Sequence, residues 1–141
     1  MFNWLKKSRI PDKPKTLGQL GEERARQEYQ ARGYRIVAAN FFNQKGLRLG
    51  EIDFIAADSR RIIFVEVKTR TQGAEKFGSA AEAVNIFKQK KILRAVKIFL
   101  QKRPEYQKLQ PQIDVCVVQA QSVDKPDYSV IIIPNAVEDW N

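Results

Sequence analysis

Two segments of this chain pair as the arms of a β-hairpin, and they constrain its fold more than any other feature. The segments Gly50 to Ala56 and Phe64 to Arg70 are rich in apolar residues and flank a short polar stretch at Ser59 and Arg60. Strand-forming runs separated by a short polar stretch are typical of a hairpin. With its turn at Ser59 and Arg60, residues equally distant from the turn face one another.

This register predicts that Asp53 lies opposite Glu66. Directly opposed side chains of an antiparallel pair have Cβ atoms about 4.5 to 5.5 Å apart, and like charges at that distance are destabilising. Lys68 follows Glu66 by two residues, so strand alternation places it on the same face. The hairpin therefore predicts two acids and a lysine around one point, which favours a bound cation.

A simpler explanation of the same residues is an ordinary ion pair. The register also places Glu51 opposite Lys68, and an exposed cross-strand pair contributes less than about 1 kcal/mol. That explanation leaves Asp53 facing Glu66 without compensation in strands too apolar for a solvated face. The cation site is therefore the favoured interpretation, with the ion pair as its alternative.

Composition narrows the chemistry that such a site could perform. The 141 residues with 43% apolar content suit one domain with a core. No run approaches the roughly 18 apolar residues of a membrane span, and the charged amino terminus lacks the apolar region of a secretory signal. We therefore expect a cytoplasmic protein without a membrane partner. The absence of histidine excludes Ser/His and Cys/His nucleophiles, leaving carboxylates, lysine or metal-bound water, and Cys116 in its apolar run is expected to be a buried small hydrophobe.

The net charge of +9 is concentrated in particular segments. The stretch between Ala83 and Pro104 contains no acid, and a basic face on a small domain is typical of a polyanion partner. A solvated helix face is the alternative if charge is considered alone. Because predicted metal-binding acids lie beside it, we expect a nucleic acid, most simply DNA, to contact Lys88, Lys90, Lys91, Arg94 and Arg70.

The element pattern predicts residues 1 to 15 as a flexible basic tail and residues 16 to 141 as one domain. A capping-box pattern at Thr16 opens a helix that Gly33 closes. Strands are predicted at residues 34 to 42, 47 to 57, 61 to 70, 112 to 119 and 128 to 133, with a second helix capped at residues 79 to 82 and ending near Lys102.

Glu22 on the first helix is a candidate third acid. It shares a helix face with Ala25 and Tyr29, whereas Glu23 shares one with Arg26. Glu22 is therefore expected to border the core and Glu23 the solvent. The alternative is that Glu22 only interacts with the positive amino-terminal end of its helix, worth well under 1 kcal/mol.

Five motifs together resemble those of a known family over roughly residues 16 to 120. The chain resembles the YraN-like family of small bacterial proteins, which is in turn similar to the PD-(D/E)xK nuclease superfamily and its archaeal Holliday-junction resolvases. Ile52 replaces the proline of the superfamily motif, and Gln112 stands where an arginine is expected. The motifs are Gly21-Glu22, Gly50-Glu51-Ile52-Asp53, Val65-Glu66-Val67-Lys68-Thr69-Arg70, Phe77-Gly78 and Ile113-Asp114-Val115.

The resemblance implies a fold and an activity. The fold would be a single-domain α/β restriction-endonuclease-like core of order α-β-β-β-α-β, with a mixed sheet flanked by helices. Asp53, Glu66 and the backbone carbonyl of Val67 would bind Mg²⁺ or Mn²⁺, with Glu22 as a further acid, and the metal would lower the pKa of a coordinated water. Lys68 would orient that water or neutralise charge on the phosphate.

The function implied is metal-dependent endonuclease cleavage of DNA, including branched or recombining DNA. Because the resolvases act as symmetric dimers, a homodimer is one assembly that the resemblance allows. The alternative, from another functional class, is a non-catalytic nucleic-acid-binding or adaptor protein that keeps the nuclease fold.

Overall fold

Within the described residues, the helices and strands follow one another along the chain in the predicted order. The computed structural model describes residues 14–39, 52–71, 86–121 and 127–137, with only the backbone for residues 86–88. The predicted tail up to residue 13, the turn at 43–46, Glu51, the Phe77-Gly78 pair and the cap at 79–82 lie outside these ranges. The elements are α1 (Leu17–Ala31), β1 (Arg35–Ala39), β2 (Phe54–Ala57), β3 (Arg61–Thr71), α2 (Ile86–Lys102), a 3₁₀ turn (Pro104–Tyr106), β4 (Gln110–Ala120) and β5 (Tyr128–Ile133).

Helix α1 begins and ends where the capping pattern predicts. The Thr16 hydroxyl accepts the backbone N–H of Gln19 at 3.1 Å, and the Gln19 side chain accepts the backbone N–H of Thr16 at 2.9 Å. These two bonds satisfy amide groups that have no partner inside the helix. The helix ends at Ala31, and Gly33 adopts a φ of 97°, which glycine tolerates without a steric cost.

The five strands form one mixed sheet in the order β1-β2-β3-β4-β5. Neighbouring pairs are antiparallel except β3 and β4, which run parallel. A parallel pair needs a crossover connection, and α2 lies in that connection. The predicted mixed α/β architecture is confirmed for the described residues.

The predicted register of the central hairpin is confirmed over all four residue pairs of its ladder. Phe54 pairs with Val65 at one end and Ala57 with Ile62 at the other. The Asp58 carboxylate stabilises the turn, because it accepts the backbone N–H groups of Arg60 at 2.8 Å and of Arg61 at 2.7 Å.

Each face of the sheet is covered by one helix. Ile62 and Phe64 belong to the core cluster with Phe99 of α2, whereas Ile63 and Val65 belong to the cluster with α1. Continued alternation along β3 places Glu66, Lys68 and Arg70 on the face that α2 covers, and Val67 and Thr69 on the α1 face.

Two further sequence expectations can be compared with the described residues. Cys116 is fully buried in the core, as predicted, and this burial raises the pKa of its thiol to about 12. No helix in the described ranges is long and apolar enough to cross a membrane.

Candidate functional site

Asp53 lies where the ladder between β2 and β3 becomes irregular. Its N–H donates to the carbonyl of Val65 at 2.9 Å, although Val65 is the ladder partner of Phe54. Its carboxylate Oδ2 accepts the N–H of Val67 at 2.7 Å. The predicted direct pairing of Asp53 with Glu66 is therefore replaced by a one-residue offset between the strands. In a continuous ladder the Val67 N–H would donate to the carbonyl of Ile52, but here it donates to the Asp53 side chain.

The electrostatic environment of Asp53 is unfavourable for its charge. Burial raises the pKa of its carboxyl to about 7. The N–H of Val67 works in the opposite direction, whereas the charges of Glu22 and Glu66 and a hydrogen bond with Glu22 raise the pKa further. Three acids thus meet at the amino-terminal end of β2, and the accumulated negative charge favours a cation.

Glu66 and Lys68 occupy one face of β3, as alternation predicts. Glu66 is 3% exposed, and its Oε1 lies 3.1 Å from the Lys68 ammonium, whose side chain is 23% exposed. In this structure the Lys68 ammonium neutralises Glu66, whose charge also raises the pKa of Asp53. The alternative ion pair with Glu51 lies outside the described residues.

The contrast between Glu22 and Glu23 follows the predicted helix faces. Glu22 approaches Asp53 from α1 on the side that also carries the buried Ala25 and Tyr29. Glu23 pairs instead with Lys15 at the surface, and this pairing lowers the pKa of its carboxyl. The structure therefore places Glu22 beside the other predicted site acids.

The basic stretch on α2 lies on the same sheet face as Lys68. Phe64 and Phe99 meet edge to face with centroids 5.6 Å apart, which aligns α2 with β3. Helix α2 connects β3 to the parallel strand β4, so it runs in the direction opposite to β3. Residues that precede Phe99 in α2 therefore lie toward the carboxyl end of β3. Lys91 is about 12 Å from Phe99 along the helix, and Lys68 is about 13 Å from Phe64 along the strand, so the two lysines lie at a similar level.

The side chains predicted to contact nucleic acid differ in their solvent exposure. Lys90, Lys91 and Arg94 are exposed on α2, and Arg70 is half-buried on β3. The side chain of Lys88 lies outside the described part. The exposed cations together provide a positive surface on α2, the helix that packs on the sheet face carrying Glu66 and Lys68.

A buried polar cluster around Asp114 was missed by sequence reasoning. Asp114 is 1% exposed, and its carboxylate accepts the Tyr29 hydroxyl at 2.6 Å, the Gln112 side-chain amide at 2.8 Å and the Asn135 N–H at 3.2 Å. Gln112, which stands where the resemblance suggested arginine, is thus a neutral partner of Asp114. The signals available in the sequence were an aspartate inside an apolar run and a tyrosine on the buried face of α1.

The donor chemistry of the acidic cluster fits a hard divalent cation. Carboxylate oxygens suit Mg²⁺ and Mn²⁺, and Mg²⁺ commonly takes one or two carboxylates plus other oxygens. No set of three or more His, Cys, Asp or Glu side chains within the described ranges has the spacing of a metal centre. Asp53 and Glu66 are the pair that could hold the ion, with Glu22 next to them.

Comparisons with known proteins place the chain in a family. Residues 21–118 match the model of "Uncharacterised protein family UPF0102". The UPF0102 protein TTE1452 of Caldanaerobacter subterraneus subsp. tengcongensis is 38% identical over 104 residues, which cover 74% of this chain and 80% of the relative. The UPF0102 protein CLJ_B2665 of Clostridium botulinum is 36% identical over 124 residues, covering 88% and 95%.

A third relative, the UPF0102 protein ACIAD1132 of Acinetobacter baylyi, is 38% identical over 99 residues, covering 70% of this chain and 66% of the relative. The chain belongs to the UPF0102 family, which is the YraN-like family that its motifs resemble. The matched region contains Glu22, Asp53, Glu66 and Lys68 together with the basic helix.

Proposed function

We propose that this protein is a metal-dependent endonuclease of the PD-(D/E)xK type that hydrolyses phosphodiester bonds in DNA. The observation that carries the proposal is the meeting of Asp53 with Glu22 and Glu66 beside Lys68, on a sheet with an exposed basic helix. Acids that repel one another also repel phosphate. The grouping of the buried Glu66 with the half-buried Asp53 and Glu22 is best explained by a cation between them and a nucleic acid.

The residues have distinct roles in this reaction. Asp53 and Glu66 hold Mg²⁺ or Mn²⁺, with Glu22 as an additional acid and the Val67 carbonyl as a neutral oxygen donor. When bound, the ion supplies Lewis-acid stabilisation and a water activated for attack on phosphorus.

Lys68 contributes charge to the transition state. Its ammonium lies 3.1 Å from Glu66 in this structure. With Glu66 engaged as a metal ligand, the Lys68 ammonium would be free to stabilise the negative charge that develops on the phosphate oxygens. The exposed Lys90, Lys91 and Arg94 bind the flanking phosphates and position the DNA.

Cleavage assays with Mg²⁺ and with Mn²⁺ on linear, single-stranded, flap and four-way DNA test this function. We expect Asp53→Asn to abolish cleavage and Lys68→Ala to lower the single-turnover rate by a factor on the order of 100 or more, with nearly unchanged affinity. Lys108→Ala is a matched control, because this exposed lysine lies near the contact between Gln110 and Arg60 at the opposite end of the sheet. Wild-type protein that cuts none of these substrates with either metal would refute a self-sufficient nuclease.

A non-catalytic nucleic-acid-binding or adaptor protein is the second candidate. It is favoured by the exposed basic residues of α2 and by the ion pair in which Lys68 already neutralises Glu66. In this case Lys68→Ala changes no rate. Replacement of Lys91 and Arg94 by alanine should weaken binding to all sequences similarly and reduce the salt dependence by about one unit per lost contact. An unchanged salt dependence would exclude this face from the interface.

A further inference from the structure

Helix α1 approaches the sheet more closely at Gly21 than any side chain would permit. A Cβ atom at Gly21 would lie 1.9 Å from Thr69 Oγ1, 2.7 Å from its Cγ2 and 2.8 Å from its Cβ. Rotation of the Thr69 side chain could relieve the first two contacts but not the third, because Cβ is fixed by the backbone. An alanine at Gly21 therefore requires the helix or strand to move.

A second contact holds the other half of the same helix. Tyr29 is about 12 Å farther along α1, and its hydroxyl donates to Asp114 on β4 at 2.6 Å. Gly21 meets β3 while Tyr29 meets β4, so two adjacent strands fix both the height and the rotation of α1. We call these two contacts the α1 anchor.

Glu22 lies next to the tighter contact of the α1 anchor. The charge of its carboxyl acts on that of Asp53 and raises the Asp53 pKa, and a shift of α1 away from β3 would separate the two groups. The electrostatic interaction between two carboxylates weakens as the distance between them increases. The close approach at Gly21 is therefore a condition for the contact between the two acids.

We propose that Gly21 and Thr69 are positioning residues that bring the Glu22 carboxyl to Asp53 and so complete the acidic site. The contact itself is independent of the proposed function, and only its consequence for metal binding rests on that function. Partners that orient metal-ligating side chains commonly affect metal affinity by 10- to 100-fold, which is the scale expected here.

The first measurement uses the metal-free protein at pH 8.5, well above the range in which free carboxyl groups titrate. In the wild-type background, Glu22→Gln should raise Tm by about 2 to 4 °C because it removes repulsion from Asp53. In a Gly21→Ala background the same change should raise Tm by less than about 1 °C, because the two carboxyls are already apart. An equal increase in both backgrounds would overturn the proposal.

Two further variants separate positioning from general destabilisation. Gly18→Ala adds a methyl group to the same helix, yet its Cβ would meet only Thr16 Oγ1 at 3.9 Å. In this background Glu22→Gln should therefore raise Tm by the same amount as in the wild-type background. Combining Gly21→Ala with Thr69→Gly removes all three atoms that the added methyl group would meet at 1.9 to 2.8 Å and should restore most of that effect. If the double variant behaves like Gly21→Ala alone, Thr69 is not the partner, and the proposal fails.

The second measurement is a titration of the same variants with Mn²⁺. We expect Gly21→Ala to raise the dissociation constant for Mn²⁺ at least about tenfold and Gly18→Ala to leave it unchanged. Adding Thr69→Gly to Gly21→Ala should recover most of the lost affinity. If wild-type protein binds no Mn²⁺ but the Tm cycle shows the expected loss of coupling, the proposed metal site fails and the positioning role stands. If Mn²⁺ binds equally well to wild type and Gly21→Ala, the positioning role fails and the metal site stands.

Discussion

Two aspartates on either side of Val65 differ in how completely the chain satisfies them. Asp114 on β4 is the parallel-register partner of Val65, and Asp53 donates its N–H to the Val65 carbonyl. The Asp114 carboxylate accepts three hydrogen bonds from neutral donors. The Asp53 carboxylate accepts the N–H of Val67 and meets two other acids.

The difference indicates distinct roles for two similar residues. A buried carboxyl that is fully hydrogen-bonded has no need of an external ligand, and it stabilises the elements that provide its partners. A half-buried carboxylate among other acids is unfavourable in the isolated chain and becomes favourable when a cation binds. Asp114 therefore belongs to the scaffold and Asp53 to the candidate site.

The largest effect should come from removing the acceptor in the complete cluster. Asp114→Ala leaves the buried Tyr29 hydroxyl and the Gln112 amide without their acceptor, at about 1 to 3 kcal/mol for each group, so we expect a loss of about 2 to 6 kcal/mol in the free energy of unfolding. Urea denaturation measures this loss. The matched variant Asp53→Ala should lower the free energy of unfolding much less, because it removes the hydrogen bond with the Val67 N–H but also relieves repulsion from Glu22 and Glu66. Equal losses for the two variants would remove the distinction between scaffold and site.

A smaller effect is expected from removing one donor of the same cluster. Tyr29→Phe keeps the ring, which packs edge to face on Phe54 at 5.4 Å, but leaves the Asp114 carboxylate with one hydrogen bond fewer. We expect a loss of about 1.5 to 3 kcal/mol in urea denaturation, the range for bonds to charged groups. Tyr34→Phe is the control, since its ring also contacts Tyr29. A loss for Tyr29→Phe no larger than that of the control would show that the hydroxyl contributes little.

The sequence predicted the features that depend on local periodicity. Strand alternation placed Glu66 and Lys68 together, helix periodicity placed Glu22 toward the core, and turn chemistry aligned the hairpin. Each of these inferences uses residues that are near one another in the chain or symmetric about a turn. The family assignment then followed from the same motifs.

Features that depend on distant or competing contacts were not predictable. Tyr29 and Asp114 are separated by 85 positions, and no periodicity links a helix residue to a strand so far away. The offset at Asp53 arises because its side chain bonds to the Val67 N–H, and alternation assumes that backbone groups bond only to one another. The close contact of Gly21 with Thr69 likewise depends on how α1 docks on the finished sheet.

The smallest expected effect concerns the pH dependence of the incomplete site. Burial and the neighbouring acids raise the pKa of Asp53 to about 7, so between about pH 4 and about pH 7 the native protein holds a proton that the unfolded chain releases. Stability of the metal-free protein should therefore decrease as pH rises through this window. Asp53→Asn keeps an acceptor for Val67 without the titrating charge, so it should remove this pH dependence and be more stable than wild type at pH 8.5.

Chemical denaturation of both proteins at pH 5 and pH 8.5 measures this difference, and the comparison between the two cancels contributions from other titrating groups. Saturating Mn²⁺ provides the converse test, because a cation bound only to the native state stabilises it. We expect Mn²⁺ to raise the stability of wild type at pH 8.5 and to leave Asp53→Asn nearly unchanged. If Asp53→Asn instead destabilises the metal-free protein at pH 8.5, then Asp53, like Asp114, belongs to the scaffold.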